Sequence, residues 1–363
     1  METEPIYKKS ASILIVVTLS VYILYIMSDI IIPFAFAGLL ATLLNSLQNK
    51  FMNLKVPKVP AIILTIVIAV LVVAAILYFL SVQLIQFTEM LPQLRLKYKE
   101  VLLDLETSVY HTFNISIAKQ TQYLNELMSK SKNLIGSTVS SALGVFSVLF
   151  LIPIYIFLLL FYKTLILNFL YEAFTREHSE HVASVLKETK LAIQSYVVGL
   201  LIETIIVAIL NSSALLLLNV DYAILLGVLG ALLNLLPYIG GLVAIILPVL
   251  IATVTQDGFT IQLYIVGAYA IIQFIDNNFL VPLIVSSKVQ INALVSILAV
   301  LCGGALWGVS GMFLSIPFIA VLKIVFDRID GLKPWGKLFG DQVPTRHKGE
   351  IWRFRRKATI KSS

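Results

Sequence analysis

The sequence predicts an all-α polytopic membrane protein. Of its 363 residues, 59% are hydrophobic and only 13% are charged, and the mean hydropathy is +0.94. Soluble domains carry about 25% charged and about 45–50% apolar residues. A single water-soluble core cannot bury so large an excess of apolar side chains. The composition therefore excludes an ordinary soluble enzyme, and it equally excludes a disordered or fibrous chain.

About eight apolar segments can enter or cross a bilayer, whose core requires roughly 20 apolar residues of helix. They cover residues 11–27, 30–47, 61–80, 143–162, 191–218, 222–254, 260–281 and 291–326. We expect 260–281 to be a plain span. The segments 222–254 and 291–326 are each too long for one straight span and short for two, and Gly and Pro residues interrupt them at 237–241 and 303–311. We expect broken helices or re-entrant hairpins there, and the sequence leaves hairpin and crossing both open.

These segments divide the chain into four parts. Residues 1–82 hold the first three spans, and residues 143–326 form a membrane transport core. Between them, residues 83–142 place apolar side chains at helical spacing among charged ones, which predicts amphipathic helices outside the cytoplasm. Residues 327–363 form a basic cytoplasmic tail.

The distribution of positive charge predicts the orientation in the membrane. Of the net charge of +7, residues 327–363 contribute ten Lys and Arg against four Asp and Glu, which is +6. Lys8 and Lys9 precede the first span, and Lys50, Lys55 and Lys58 follow the second. Because positively charged connections stay in the cytoplasm, we expect both termini there. The tail lacks a nucleic-acid-binding motif, so we expect no nucleic-acid partner.

One acidic residue, Glu203, lies near the centre of the fifth span, where a charge costs at least about 2.5–3.5 kcal/mol. Ser195, Gly199 and Asn211 fall on roughly the same helix face, at steps of four or eight. One interpretation is a carboxyl group that exchanges a proton or binds a cation. The other is a neutral, hydrogen-bonded glutamate that holds helices together.

A polar stripe runs along the 260–281 span. Tyr269, Gln273, Asp276 and Asn277 share a face at i, i+4, i+7 and i+8, and Asn278 adds a further amide. Carboxylate and amide oxygens suit a small cation or a hydroxylated solute. Alternatively, the stripe forms interhelical hydrogen bonds, each worth only about 0.6–2 kcal/mol.

Enzyme motifs are missing from the sequence. There is no G-x-x-x-x-G-K-[ST], no H-E-x-x-H and no G-x-S-x-G. We therefore expect a protein that is not an enzyme and that needs no cofactor or metal.

Three motifs in the second half of the chain carry a family resemblance. They are NLLPYIGG at 234–241, DNNFLVP at 276–282 and GGALWGVSGMFLSIP at 303–317. Together, in this order and spacing, they resemble the AI-2E (autoinducer-2 exporter-like) transporter family of bacteria, and the similarity covers nearly the whole chain. Many relatives carry a glutamine-rich pattern early in the fifth span, where this chain has an acid, Glu203.

The resemblance implies a bacterial inner-membrane protein with about eight membrane segments that forms homo-oligomers. It also implies export of autoinducer-2 in some members and sodium(lithium)/proton antiport in others. We assign the candidate substrate- or ion-binding site to the intramembrane acids, the neighbouring amides and the helix-breaking residues. These are Glu203, Asn234, Pro237, Tyr238, Gly240, Gly241, Tyr269, Gln273, Asp276, Asn277, Asn278, Gly303, Gly304, Gly308 and Gly311.

Three hypotheses follow for the function. The first is a permease that exports a small hydroxylated solute, such as autoinducer-2, and is driven by a gradient of H⁺ or Na⁺. In it, both chain breaks supply backbone groups to the site, Asp276 binds the solute or ion, and Glu203 carries the coupling proton. The second is a cation/proton antiporter. The third is a structural assembly protein whose polar stripe only joins subunits.

Overall fold

The computed structural model describes residues 6–83, 85, 142–173, 179–236, 240–256, 258–285 and 291–341, and these residues form helices and short connections without a strand. Almost all of the expected amphipathic segment 83–142 lies outside the described residues, as does most of the basic tail. Pro237 and Tyr238 lie outside them too.

The described helices follow the predicted apolar segments closely. They are α1 (Ile6–Ile26), α2 (Ser28–Asn53), α3 (Lys58–Gln83), α4 (Ala142–Phe161), α5 (Lys163–Ala173), α6 (Ser179–Leu217), α7 (Ala223–Asn234), α8 (Gly240–Thr255), α9 (Thr260–Ile275), α10 (Ala293–Arg328) and α11 (Lys333–Phe339). Within the described ranges, five helices are long and apolar enough to cross a membrane, or six if α4 and α5 count as one bent span. The predicted fold class, an all-α polytopic membrane protein, is confirmed.

Helix α2 contacts helices on both of its sides. Ala37 and Ala41, four residues apart, are buried in one cluster with Ile62 of α3 and with α4. On another side, Leu39 packs in a cluster with α6 and α10. Since lipid is as apolar as these side chains, close packing rather than the hydrophobic effect stabilises such contacts. The alanines serve that purpose because they allow neighbouring helices to approach closely.

Hydrogen bonds between helices identify one end of the bundle, and the opposite end follows from the helix directions. Lys58 Nζ donates to the carbonyl oxygen of Phe161 at 2.8 Å, and Lys163 Nζ donates to Asn45 Oδ1 at 3.0 Å. Gln194 Nε2 of α6 donates to the carbonyl oxygen of Thr42. Residues 45–58, 161–163 and 187–194 therefore lie at one end, which we call the lysine end. The opposite end, called the far end, holds residues 27–29, 218–222, 255–256 and 258–260, at the other ends of the helices.

Helices α7 and α8 form a hairpin that enters and leaves at the far end. Near its open end, Gln256 Nε2 donates to the carbonyl oxygen of Asn219 at 2.8 Å. At its tip, Gly240 contacts the backbone of Leu233 so closely that a Cβ atom there would collide with the carbonyl oxygen. The arms of 12 and 16 residues are about 18 and 24 Å long. Both are shorter than the roughly 30 Å hydrocarbon core, which is the geometry of a re-entrant hairpin.

Helix α10 is a second hairpin, and it enters from the lysine end. Its helical backbone breaks at Trp307 and at Gly308, whose φ of 59° favours glycine. Beyond the break the chain folds back, and the backbones of Gly303 and Gly311 are in contact. Asn292, which precedes the first arm, donates its backbone N–H to the carbonyl oxygen of Phe339, beyond the second arm. The two hairpins therefore enter from opposite ends.

The expectation of a plain span over 260–281 is corrected by the structure. Helix α9 changes into a π-helix at Asp276 that continues to Val285. Pro282 lies inside this segment and has no N–H to donate. The wider turn of a π-helix accommodates such an interruption. Segments of π-helix are rare in proteins, and those that occur are often at functional sites.

We predict that Gly303→Ala destabilises the protein by about 1–3 kcal/mol, because the new methyl group would collide with the backbone of Gly311 and force the hairpin arms apart. The matched control is Gly267→Ala on α9, where a Cβ atom meets nothing within 4 Å. Thermal unfolding in detergent measures both. Equal unfolding temperatures for the two variants would contradict the close contact of the arms.

Candidate functional site

The two intramembrane acids meet halfway between the ends of the bundle. Glu203 lies thirteen residues after Lys190 and fourteen before Leu217 on α6, which is about 20 Å from each along the helix. Asp276 lies where α9 changes into the π-helix. The Glu203 and Asp276 residues are only 5% and 2% exposed.

A single amide group bridges these two carboxyl groups. Asn234 Nδ2 donates to Asp276 Oδ2 at 2.9 Å and to Glu203 Oε1 at 3.4 Å. Because both accept from the same amide nitrogen, the two carboxyl groups lie close enough to repel each other as carboxylates. Asn234 is the last residue of α7, so the tip of the re-entrant hairpin lies directly against both acids.

Glycines bring the hairpin this close to its neighbours. On α7, a Cβ atom placed on Gly230 would lie 3.2 Å from Asn211 Nδ2 of α6. On α8, a Cβ atom on Gly241 would collide with the side-chain amide of Gln273 on α9. The hairpin therefore fits between α6 and α9 because side chains are missing at these contacts.

The polar stripe of α9 divides into two parts. Gln273 Nε2 donates to Asp276 Oδ2 at 3.4 Å and to Asn277 Oδ1 at 3.2 Å, so these three residues form one network. Asn278 instead donates to the carbonyl oxygen of Phe274 on its own helix, at 2.8 Å. The predicted stripe thus contains three connected residues, whereas Asn278 makes only this local contact among the described residues.

A cavity of about 10 Å³ lies beside Asp276. Three oxygen atoms at this cavity lack a hydrogen-bond partner among the described residues: Asn211 Oδ1, the Tyr269 hydroxyl and Asp276 Oδ1. Its volume is about that of one water-sized sphere. Carboxylate, amide and hydroxyl oxygens are suitable ligands for a small hard cation and equally for a water molecule. The cavity can therefore hold one small polar particle.

The predicted glycines of the second hairpin lie elsewhere. Gly303 and Gly311 line a separate apolar cavity of about 470 Å³, which α1, α2, α6 and α10 enclose. Trp307, at the break beside Gly308, donates its indole N–H to the carbonyl oxygen of Leu24 at 2.9 Å. Gly304 packs against Met312 of the opposite arm. The structure places these glycines in the α10 turn, away from the two acids.

Five residues that line the cavity are not among the predicted site residues: Val207, Asn211, Gly230, Ala244 and Ile272. Of these, only Asn211 is polar, and the sequence places it on the Glu203 face of α6. The available signal is the presence of two glycines, Gly227 and Gly230, in an apolar run, because small residues are enriched where membrane helices pack closely.

Comparison with known proteins is consistent with this architecture. A family model described as AI-2E family transporter matches residues 12–331. The AI-2 transport protein TqsA of Escherichia coli K12 is 27% identical over 317 residues, which are 86% of this chain and 90% of that protein. A protein of Haemophilus influenzae, named for transport without a stated substrate, is 26% identical over 320 residues, covering 86% and 91% of the two chains. This chain belongs to the AI-2E transporter family of multi-pass membrane proteins.

Proposed function

We propose that this protein is a secondary transporter of the bacterial inner membrane that moves a small hydroxylated solute, such as autoinducer-2, outward at the expense of an ion gradient. The observation that carries the proposal is that two buried carboxyl groups, Glu203 and Asp276, accept from one amide at the tip of a re-entrant hairpin. In this proposal the pair carries the coupling ion, and Gln273 and Asn277 contact the solute.

The acid pair supports ion coupling for an electrostatic reason. Two carboxylates in contact cannot both remain charged unless a proton or a cation lies between them. At mid-bilayer depth an unneutralised charge would also cost at least about 2.5–3.5 kcal/mol. Loss of the proton from the Glu203–Asp276 pair therefore favours entry of a positive ligand, and release of that ligand favours reprotonation.

The two hairpins support alternating access. The α7–α8 hairpin reaches the acids from the far end, and the α10 hairpin enters from the lysine end. A cavity of about 10 Å³ is too small for an organic solute, so a solute needs the α7–α8 hairpin to move. Gly230 and Gly241, at the contacts with α6 and α9, are where such movement would open the site. Discontinuous helices of this kind surround binding sites in many transporters.

The substrate class is supported by the network around Asp276. Amide groups of Gln273 and Asn277 can donate to and accept from hydroxyl groups. One relative, matched over 90% of its own length, is named an AI-2 transport protein.

A specific observation favours a second candidate, a sodium(lithium)/proton antiporter. Three oxygen atoms that have no hydrogen-bond partner in the described part of the chain line a cavity of single-ion size.

We further propose that the lysine end faces the cytoplasm, which places both termini there. Lys50, Lys55, Lys58, Lys163 and Lys190 lie at that end, whereas the far-end residues 27–29, 218–222 and 255–259 contain no Lys or Arg. The positive-inside rule therefore assigns the lysine end to the cytoplasm. With this orientation the α7–α8 hairpin enters from outside and the α10 hairpin from inside.

We predict that Glu203→Gln and Asp276→Asn each abolish ion-coupled transport, because either change removes an exchangeable proton from the pair. The measurement is proton flux in inside-out vesicles on addition of sodium or lithium, followed by efflux of autoinducer-2 from cells. Asp221→Asn serves as the matched control, since this carboxylate is exposed at the far end.

The pattern of results separates the candidates. Cation-dependent proton flux that both variants lose identifies an antiporter, whereas loss of solute efflux alone identifies an exporter. If both variants retain all transport while assembly in detergent fails, the acids are structural and the proposal is wrong.

The orientation yields a second prediction. In a Cys302→Ser background, Asp221→Cys should react with a membrane-impermeant maleimide applied to intact cells, and Lys55→Cys should react only after lysis. Both positions are exposed and lie in connections between helices. The reverse labelling pattern would invert the assignment.

A further inference from the structure

Three lysines from three helices meet at the lysine end, away from the acid pair. Lys58 begins α3, Lys163 begins α5 and Lys190 lies on α6. The charges of Lys190 and Lys58 both act on Lys163. The cluster therefore concentrates positive charge contributed by distant parts of the sequence.

Only neutral groups contact these lysines among the described residues. Lys58 Nζ donates to the carbonyl oxygen of Phe161 and lies 5.3 Å from the centre of its ring. Lys163 Nζ donates to Asn45 Oδ1. In the part of the chain that the structure describes, none of the three forms an ion pair with a carboxylate, and Glu188 pairs with Arg328 instead. Among the described residues, no carboxylate thus compensates their mutual repulsion, and a bound anion would relieve it.

The cluster lies beside a helix suited to a membrane surface. Helix α5 bends by 60° from α4. Two large apolar side chains on it, Leu165 and Phe169, are 64% and 65% exposed. A short helix with an apolar face and a lysine at its start is typical of the interface between headgroups and acyl chains. Tyr162, at the bend, is an aromatic residue of the kind enriched at that level.

We propose that Lys58, Lys163 and Lys190 bind the phosphate of an anionic phospholipid in the leaflet at the lysine end. Three ammonium groups supply donors and positive charge for one phosphate. The exposed apolar side chains of α5 then contact the acyl chains of the same lipid. This second contact favours a lipid over free phosphate, because free phosphate would use only the lysines.

The test is a thermal-shift titration of the full chain in a nonionic detergent. The probes are phosphatidylglycerol, zwitterionic phosphatidylcholine and inorganic phosphate. A lysine near an anionic lipid surface contributes about 1 kcal/mol, so Lys190→Gln should weaken phosphatidylglycerol binding about fivefold, and the triple glutamine variant of the cluster about a hundredfold. The control variant carries Lys50→Gln, Lys55→Gln and Lys337→Gln, which removes the same charge from three exposed lysines.

Selective stabilisation by phosphatidylglycerol that the cluster variant loses and the control variant keeps supports the site. Equal losses in the two triple variants would mean nonspecific attraction to charge and would overturn it. Equal stabilisation by inorganic phosphate would overturn the lipid assignment. If the triple cluster variant fails to fold, Lys190→Gln decides the question, because Lys190 is exposed and forms no hydrogen bond among the described residues. Unchanged binding in that variant also overturns the proposal.

Discussion

Backbone N–H and C=O groups that lack a hydrogen-bond partner within a helix must be shielded from lipid. The rest of this structure is arranged around that constraint. Each unsatisfied N–H or C=O group costs several kcal/mol in hydrocarbon. Two chain reversals, at the tip of the α7–α8 hairpin and at Gly308 in α10, lie where such groups would be exposed. Gly240 and Gly303 let the arms of each hairpin close on one another. Helices α6 and α9 pack against the α7–α8 hairpin, and α2 and α6 pack against α10.

The acid pair depends on the same arrangement. Asn234 is available to bridge Glu203 and Asp276 because α7 ends there and its side chain is held against α6 and α9. A continuous α7–α8 helix would place a different surface beside the acids. The hairpin therefore provides the one side-chain donor among the described residues that reaches both carboxyl groups. Movement of the hairpin would withdraw this donor from the acids.

The bundle is also strongly asymmetric in charge. Described lysines gather at one end, and the connections at the other end carry carboxylates such as Asp29 and Asp221. Two of the clustered lysines have structural contacts as well, since Lys58 donates to a carbonyl group of α4 and Lys163 to α2. Two of the three residues proposed to contact a lipid phosphate, Lys58 and Lys163, therefore also join α2, α3, α4 and α5 at that end.

The sequence by itself determined the membrane class, the helical segments and the breaks at 237–241 and 303–311, and it predicted Glu203 and Asp276 as site residues. It did so because apolar length, helix-breaking residues and buried charge are local properties of a chain in a bilayer. Only the tertiary structure decided that both long segments fold back, that they enter from opposite ends and that Asn234 joins two acids 73 positions apart. It also decided that Gly303 and Gly311 lie away from those acids. These features depend on contacts between distant helices, which helical periodicity does not encode.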